Sequence, residues 1–263
     1  MSKAVVRREN MNEIELLKEF LDFPISTTTE VFNKFRQIKD SIFRENNSTG
    51  KERFLYVEGK RKNKVLLVAH ADTYYDIHHI DEKRKHKVHY NNGVFTAVDE
   101  NDYPQLLGAD DRAGLAMLWL LKDSGHSLLV TDGEERGRKG SKWLMNKNRD
   151  IAKKINNHQF MIQLDREGAK NYKCYNKGTS RFKKYIEDKT VDINKNTYKN
   201  EDDGNAYTDI CTLCERICGV NFSIGYHDKH SINERLVITE WLETYNMLKK
   251  LLEEDLEEFL IDD

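Results

Sequence analysis

The stretch VLLVAHAD, residues 65–72, decides the fold: five apolar residues run without a charge into His70, and Asp72 follows two positions later. A short unbroken apolar run between polar turns is the pattern of a strand buried on both faces, and such strands belong to parallel sheets covered by helices. In an open α/β sheet, ligands bind beyond the carboxyl ends of the strands, so function is expected in the residues that close each run. The pattern returns three times. SLLVTDGEE (127–135) ends on Glu134 and Glu135, FMIQLD (160–165) on Asp165, and VNFSIGYHDKH (220–230) on His230. Between the first two runs lies LGADDRAGLAMLWLL (107–121), with Asp110 and Asp111 at the entrance to an apolar helix.

Working outward, residues 12–46 read as helical with a break at Pro24, and FLYVEG with KVLLVAH reads as a hairpin leading from the sheet edge to its centre. HHIDEKRKHKVHYNNGVFTAV is polar and alternating, and Asn92-Gly93 marks the turn of an exposed hairpin. A helix over 112–122, a strand over 127–131, a helix through SKWLMNKNRDIAKKI and a strand over 160–164 follow in βαβα order. TDICTLCERIC reads as a helix and GVNFSIG as a strand. TEWLETYNMLKKLLEEDLEEFL reads as a closing amphipathic helix with Trp241, Tyr245, Leu248, Leu252 and Phe259 near one stripe. Residues 171–203, rich in Lys, Asn and Asp, predict only a short hairpin or helix. The order predicts an α/β three-layer sandwich: a mostly parallel, mixed central sheet with helices on both faces.

A chain of 263 residues suits one catalytic domain spanning 1–263. Charged residues at 33% and hydrophobic ones at 38% describe a globular protein with a heavily charged surface and no membrane-spanning segment. The formal net charge of -2 gives no support to nucleic-acid binding through bulk electrostatics. MSKAVVRRENMNEIELL has no continuous apolar core and no small-residue cleavage site, so a cytoplasmic location is expected. Cys174, Cys211, Cys214 and Cys218 hold a single C-x-x-C with no second pair, which reads as reduced, packed thiols.

If Asp72, Asp110, Glu134, Glu135 and Asp165 converge, each carboxylate pair at ~4 Å repels by about 4 kcal/mol at an effective dielectric of 20, and several pairs exceed the stability of a domain. Arg112, Arg136 and Arg166 lie near in sequence. Two histidines among the acids suit a dication better, and mixed nitrogen and oxygen ligands without cysteine favour Zn2+, with Mn2+ or Co2+ as substitutes. His70 and Asp72, two apart on an extended segment, point the same way, so Asp72 can accept from the imidazole and fix its tautomer. Glu134 and Glu135, as neighbours, are expected to point apart, one toward a metal and one toward a reacting water. Asp110 has two oxygens with which to bridge a pair of ions. Taken singly, each motif has a plainer reading: a core histidine, a helix N-cap, a solvated turn.

The ordered set of H-x-D after an apolar strand, G-A-D-D-R-A-G, E-E in T-D-G-E-E-R-G-R-K-G-S, an Asp after a strand and a late H-S-x-N-E resembles the two-metal (dizinc) exopeptidases, including peptidase T, the glutamate carboxypeptidase group and related aminopeptidases. The resemblance runs from about Glu13 to the carboxyl terminus. It implies that His70 and Asp165 belong to one or other of two divalent metal ions, that Asp110 bridges them, and that Glu135 and His230 complete the coordination. Asp72 becomes the orienting acid, Glu134 the general base, and Asp110–Asp111 a candidate cis peptide. His227 competes with His230, but Ser231, Asn233 and Glu234 complete the motif with His230. Members resembling peptidase T carry a lid or dimerisation domain of about a hundred residues between the fourth and fifth ligands. Asp165 and His230 are 65 positions apart, so no separate lid domain is expected here.

The resemblance implies hydrolysis of a terminal peptide bond of short peptides. The alternatives are deacylation of an N-acyl amino acid at the same site and a non-catalytic metal-binding scaffold. The hairpin residues His78, His79, His86 and His89, with Lys83, Arg84, Lys85 and Lys87, read as a solvated basic face, or as a grip for an acidic substrate end. Thr208 and Asp209 read equally as pocket lining or as a helix cap.

Overall fold

The computed structural model describes residues 3–48, 52–75, 86–191, 197–201 and 206–262, with side chains from residue 12 onward. Its centre is a mixed eight-stranded sheet. In chain order the strands are β1 (Ile42–Glu45), β2 (Arg53–Val57), β3 (Leu66–His70), β7 (Ser127–Thr131), β8 (Met161–Arg166), β9 (Asn171–Lys173), β10 (Lys199–Asn200) and β11 (Gly219–Ser223). Their spatial order is β1-β2-β7-β3-β8-β11-β9-β10. β7, β3, β8 and β11 are mutually parallel, while β2 runs antiparallel to β7 and β9 antiparallel to β11.

Side-chain alternation along these strands builds two cores, because successive residues face opposite sides of a sheet. Leu55, Leu67, Ala69, Leu128 and Val130 face one layer with Leu17, Phe20, Phe35, Leu115, Leu118, Trp241 and Leu248, carried on α1 (Lys3–Leu21), α2 (Thr29–Phe35), α3 (Ala109–Leu120) and α8 (Ile238–Glu253). Phe54, Tyr56, Leu66, Val68 and Leu129 face the other, against Leu144, Ile151, Ile155 and Ile210 of α4 (Lys139–Lys147), α5 (Arg149–Ile155) and α7 (Asp209–Leu213). Leu67 is wholly buried at the centre. Truncating a leucine of this kind to alanine costs about 2–5 kcal/mol. The three-layer sandwich expected from the sequence is the observed architecture.

Several local expectations differ. β2 and β3 do not pair with each other, because β7 lies between them and hydrogen-bonds to both. The helical reading fails at Ile42–Glu45, which pairs antiparallel with β2 through Ile42↔Tyr56 and Phe43↔Leu55 after a turn at Asp40 (φ +62°). SKWLMNKNRDIAKKI forms two helices separated at Asn148. The closing helix ends at Glu253, and Phe259 is buried from the tail that follows, where its amide donates to the Gln159 carbonyl. α7 ends at Leu213, before Cys214 and Cys218. None of the four cysteines forms a disulfide, and Cys174, Cys214 and Cys218 are buried.

A second, antiparallel sheet went unforeseen apart from one hairpin. β4 (Lys87–Asn91) and β5 (Val94–Val98) turn at Asn92 and Gly93, both at positive φ, and β5 also pairs with β6 (Pro104–Gln105) and β13 (Arg235–Val237), which holds β12 (Tyr226–His227). The tie between β5 and β13 brings the His230 loop back over the entrance to α3. His89 and Lys87 are exposed as expected, but His86 is half-buried and bonds the Leu21 carbonyl. His78, His79, Lys83, Arg84 and Lys85 lie outside the described residues. Between β9 and β10 runs α6 (Ser180–Lys189), capped by the Thr179 hydroxyl. No helix among the described residues is long and apolar enough to cross a membrane.

Candidate metal centre

The register of the parallel strands assembles the centre. β3 pairs with β7 from Leu66↔Ser127 to His70↔Thr131, and with β8 from Leu66↔Met161 to Val68↔Gln163. Continuing the second register sets His70 level with Asp165. Asp110 arrives on α3, whose first residues depart from helical geometry and contain a cis Asp110–Asp111 peptide. This helix start presses hard on the sheet. A Cβ on Gly114 would sit 2.1 Å from the Leu164 carbonyl oxygen, so only glycine permits the approach.

At the carboxyl ends of β3 and β8, His70 Nε2 lies 3.1 Å from Asp110 Oδ1 and 3.4 Å from Asp165 Oδ1. On the other side of Asp110, Oδ2 lies 3.3 Å from His230 Nε2, which is itself 2.7 Å from Glu135 Oε1. Among the described residues, three trios have donor atoms within 4.8 Å of one another: His70, Asp110 and Asp165; Asp110, Glu135 and His230; and His70, Glu134 and Glu135. The first two share Asp110, one oxygen to each. His227 belongs to neither, because its Nε2 contacts Glu240 Oε2 at 2.6 Å.

The surrounding groups hold this arrangement. Asp72 Oδ1 lies 3.3 Å from His70 Nδ1. The Asp72 carboxylate also accepts the backbone N–H groups of Gly133, Glu134 and Glu135, which anchors the loop after β7 to the loop after β3. Asp165 Oδ2 accepts from the Gln163 amide at 2.8 Å and from the Thr208 hydroxyl at 2.7 Å. Glu234 accepts the amides of Gly108 and Asp110, and Asp111 accepts the amides of His70 and Gly114. Arg112 donates to the carbonyls of Ala71, Pro24 and Thr27. Arg166 bonds Asn171 and Glu201. Tyr74 stacks on the His230 ring at 4.3 Å.

Glu134 and Glu135 do not point apart. Both carboxylates approach His70, because the pair lies in an irregular turn after Thr131 and not on a strand, so strand alternation does not govern it. Thr208 and Asp209 resolve as both cap and lining. Thr208 starts α7 with a capping box while its hydroxyl holds Asp165, and the buried Asp209 accepts from the Thr131 hydroxyl. Lys229 also reaches the centre, its Nζ 3.7 Å from Asp110 Oδ2, and sequence reasoning missed it; Glu234, read from the sequence only as part of the late motif, holds the Asp110 amide. For Lys229 the available signal was adjacency to His230.

The electrostatics record how crowded the acids are. Burial pushes Glu134 well above the usual carboxylate range, and the charge of Asp165 pushes it further. Burial and Asp110 raise Glu135. Burial raises Asp209 to about 6 and Glu234 to about 8. Burial disfavours the imidazolium of His70, yet Asp165, Asp110 and Asp72 hold its pKa well above the ordinary value. Asp110 and Glu135 likewise overcome burial at His230 and raise it to about 9. Asp110 stays well below the usual range despite burial, because Lys229, His230 and His70 surround it. Positive charge is what this cluster demands, and its donors, imidazole and carboxylate without thiolate, fit zinc, manganese or cobalt.

No protein-family model matches the chain, and no curated protein matches it in sequence. Among solved structures, aminopeptidase PepT from Bacillus cereus ATCC 10987 is similar with a TM-score of 0.67 at 13% identity, covering 93% of this chain and 98% of that one. The chain has the fold of an aminopeptidase. A tripeptidase from Staphylococcus aureus subsp. aureus mu50 gives 0.63 at 11% identity over 93% of this chain and 98% of that one. A TET aminopeptidase from the marine sediment archaeon Thaumarchaeota archaeon SCGC AB-539-E09 gives 0.61 at 11% over 92% and 96%. At such identities the likeness is one of fold, and the chemistry rests on the residues of the centre itself.

Proposed function

We propose that this chain is a metal-dependent hydrolase that cleaves a terminal peptide bond of short peptides, acting as a single catalytic unit. The observation that carries the reading is the pair of donor trios sharing Asp110, with the Glu134 carboxylate beside them. One divalent cation, Zn2+ by donor chemistry, is assigned to His70, Asp110 and Asp165, and a second to Asp110, Glu135 and His230. The absence of a separate lid is supported by the span from Asp165 to His230, whose described strands β9, β10 and β11 join the central sheet.

Cations held there supply a lowered pKa for the attacking water and Lewis-acid polarisation of the scissile carbonyl. The protein does the rest. Glu134 takes the proton of the attacking water and returns it to the leaving amine. Asp72 sets the orientation of the His70 ring and, through three amides, fixes the loop carrying the base. Gln163 and Thr208 hold Asp165 in one orientation.

Glu134→Gln preserves shape and removes the base. Turnover is expected to fall by about 10²–10⁴-fold, with two cations per chain still present by elemental analysis. Near-normal turnover in that variant overturns the assignment of the base. A panel of dipeptides and tripeptides, free or blocked at either end, set beside N-acetyl amino acids, tests the substrate class. Cleavage confined to the N-acetyl compounds replaces the peptidase reading with a deacylase.

A further inference from the structure

Lys229 is the one lysine or arginine, among the described residues, that forms an ion pair with a member of the two donor trios: its Nζ lies 3.7 Å from Asp110 Oδ2. That oxygen faces His230, while Asp110 Oδ1 faces His70. The ammonium therefore stands on one side of the shared carboxylate only. Its side chain is 39% exposed, so it has room to swing outward. Asp228 and His230, its neighbours in sequence, both adopt positive φ, and the hydroxyl of Ser231 donates to the Asp228 carbonyl, which fixes the turn that presents Lys229.

We infer that Lys229 is a built-in counter-ion competing with the second cation, so that the two metal positions differ in affinity and fill in order. The inference rests on the two-cation reading above. A cation held by Asp110 Oδ2, Glu135 and His230 shares its oxygen with the ammonium and meets like-charge repulsion at close range, whereas one held by His70, Asp110 Oδ1 and Asp165 lies across the carboxylate from it. The first position fills tightly. The second fills only as Lys229 is displaced. In protein stripped of cations, the same ammonium offsets the repulsion among Asp110, Glu134, Glu135 and Asp165, so Lys229 supports the fold before metal arrives.

This role has a signature of two opposite signs. In calorimetric titration of stripped protein with Zn2+, wild type shows two steps, the second at least tenfold weaker. Lys229→Gln is expected to tighten the second step by tenfold or more and to lower the melting temperature of the stripped protein by about 3 °C or more. Lys229→Arg, which keeps the charge, retains the wild-type gap and guards against a folding defect in the glutamine variant. Equal steps in wild type, or a second step unmoved in Lys229→Gln, overturns the inference while leaving the two-cation reading intact. Wild-type protein that binds no Zn2+ overturns both.

Discussion

At the carboxyl ends of β3 and β8, the buried His70 sits among Asp72, Asp110 and Asp165, whereas at the amino ends of β7 and β8 the buried His126 and His158 hydrogen-bond to no carboxylate among the described residues. His126 accepts from the Val65 amide and bonds the Leu252 carbonyl; His158 bonds the carbonyls of Lys154 and Ile155 and the Ser127 hydroxyl. All three rings are 1% exposed, so burial does not distinguish them. Their company does. Burial carries His126 below its ordinary pKa and His158 to about 4, while acids lift His70 well above it. One end of the sheet gathers charge that needs a partner; the other end satisfies the ring nitrogens of both histidines within the chain.

The sharpest way to break this contrast is at Asp110, the carboxylate common to both trios. Asp110→Asn is expected to reduce bound metal from two ions per chain to one or none, and to cost more turnover than the ~10²–10⁴-fold assigned to loss of the base. His158→Gln, at the other end, should leave metal content unchanged. If elemental analysis finds two ions in the asparagine variant, Asp110 is not the bridge and the division into two trios fails. A smaller effect is expected one layer out. Asp72 touches His70 and the loop amides, so Asp72→Asn should weaken metal affinity by up to about 100-fold, measured by competition with a chelator. An unchanged affinity would reduce Asp72 to a loop staple.

The same contrast explains which parts of the site were legible in the sequence. His70, Asp165, Asp110 and the Glu134–Glu135 pair end apolar runs or open an apolar helix, and a strand end is a local pattern with a spatial meaning in an α/β sheet. The placement of β7 between β2 and β3 was not legible, because strand order is decided by pairing between segments more than fifty residues apart in sequence. The joint between β5 and β13 is equally non-local, and without it nothing in the sequence shows why the His230 loop returns to Asp110. Thr208 and Asp209 look like a helix cap, which they are; their second use, holding Asp165 and accepting from Thr131, depends on where α7 docks. Lys229 was hidden by its ordinariness as a charge in a polar loop. The mistaken divergence of Glu134 and Glu135 shows the limit of alternation: it holds along β7 and stops where the strand does.

The quiet end of the sheet makes the gentlest prediction. The carbonyls of Lys154 and Ile155 around His158 Nδ1 require a proton there, so Nε2 accepts from the Ser127 hydroxyl, and the Ser127 oxygen accepts from the Gly59 amide. Protonating Nε2 sets an N–H against that O–H in a buried site. With a folded pKa of about 4 against an ordinary value of 6.5, the unfolded chain takes up the proton first as pH falls. The stabilisation from a neutral His158 is therefore complete above pH 6.5 and drains away between 6.5 and 4. At pH 5 about 2 kcal/mol of it is gone. Urea unfolding of wild type and His158→Gln at pH 7 and pH 5 isolates this loss, since the acid cluster at the far end titrates in both proteins. Wild type should lose about 2 kcal/mol more than the variant. Equal losses would mean that His158 is protonated in the fold, and that the two ends of the sheet differ less than their hydrogen bonds indicate.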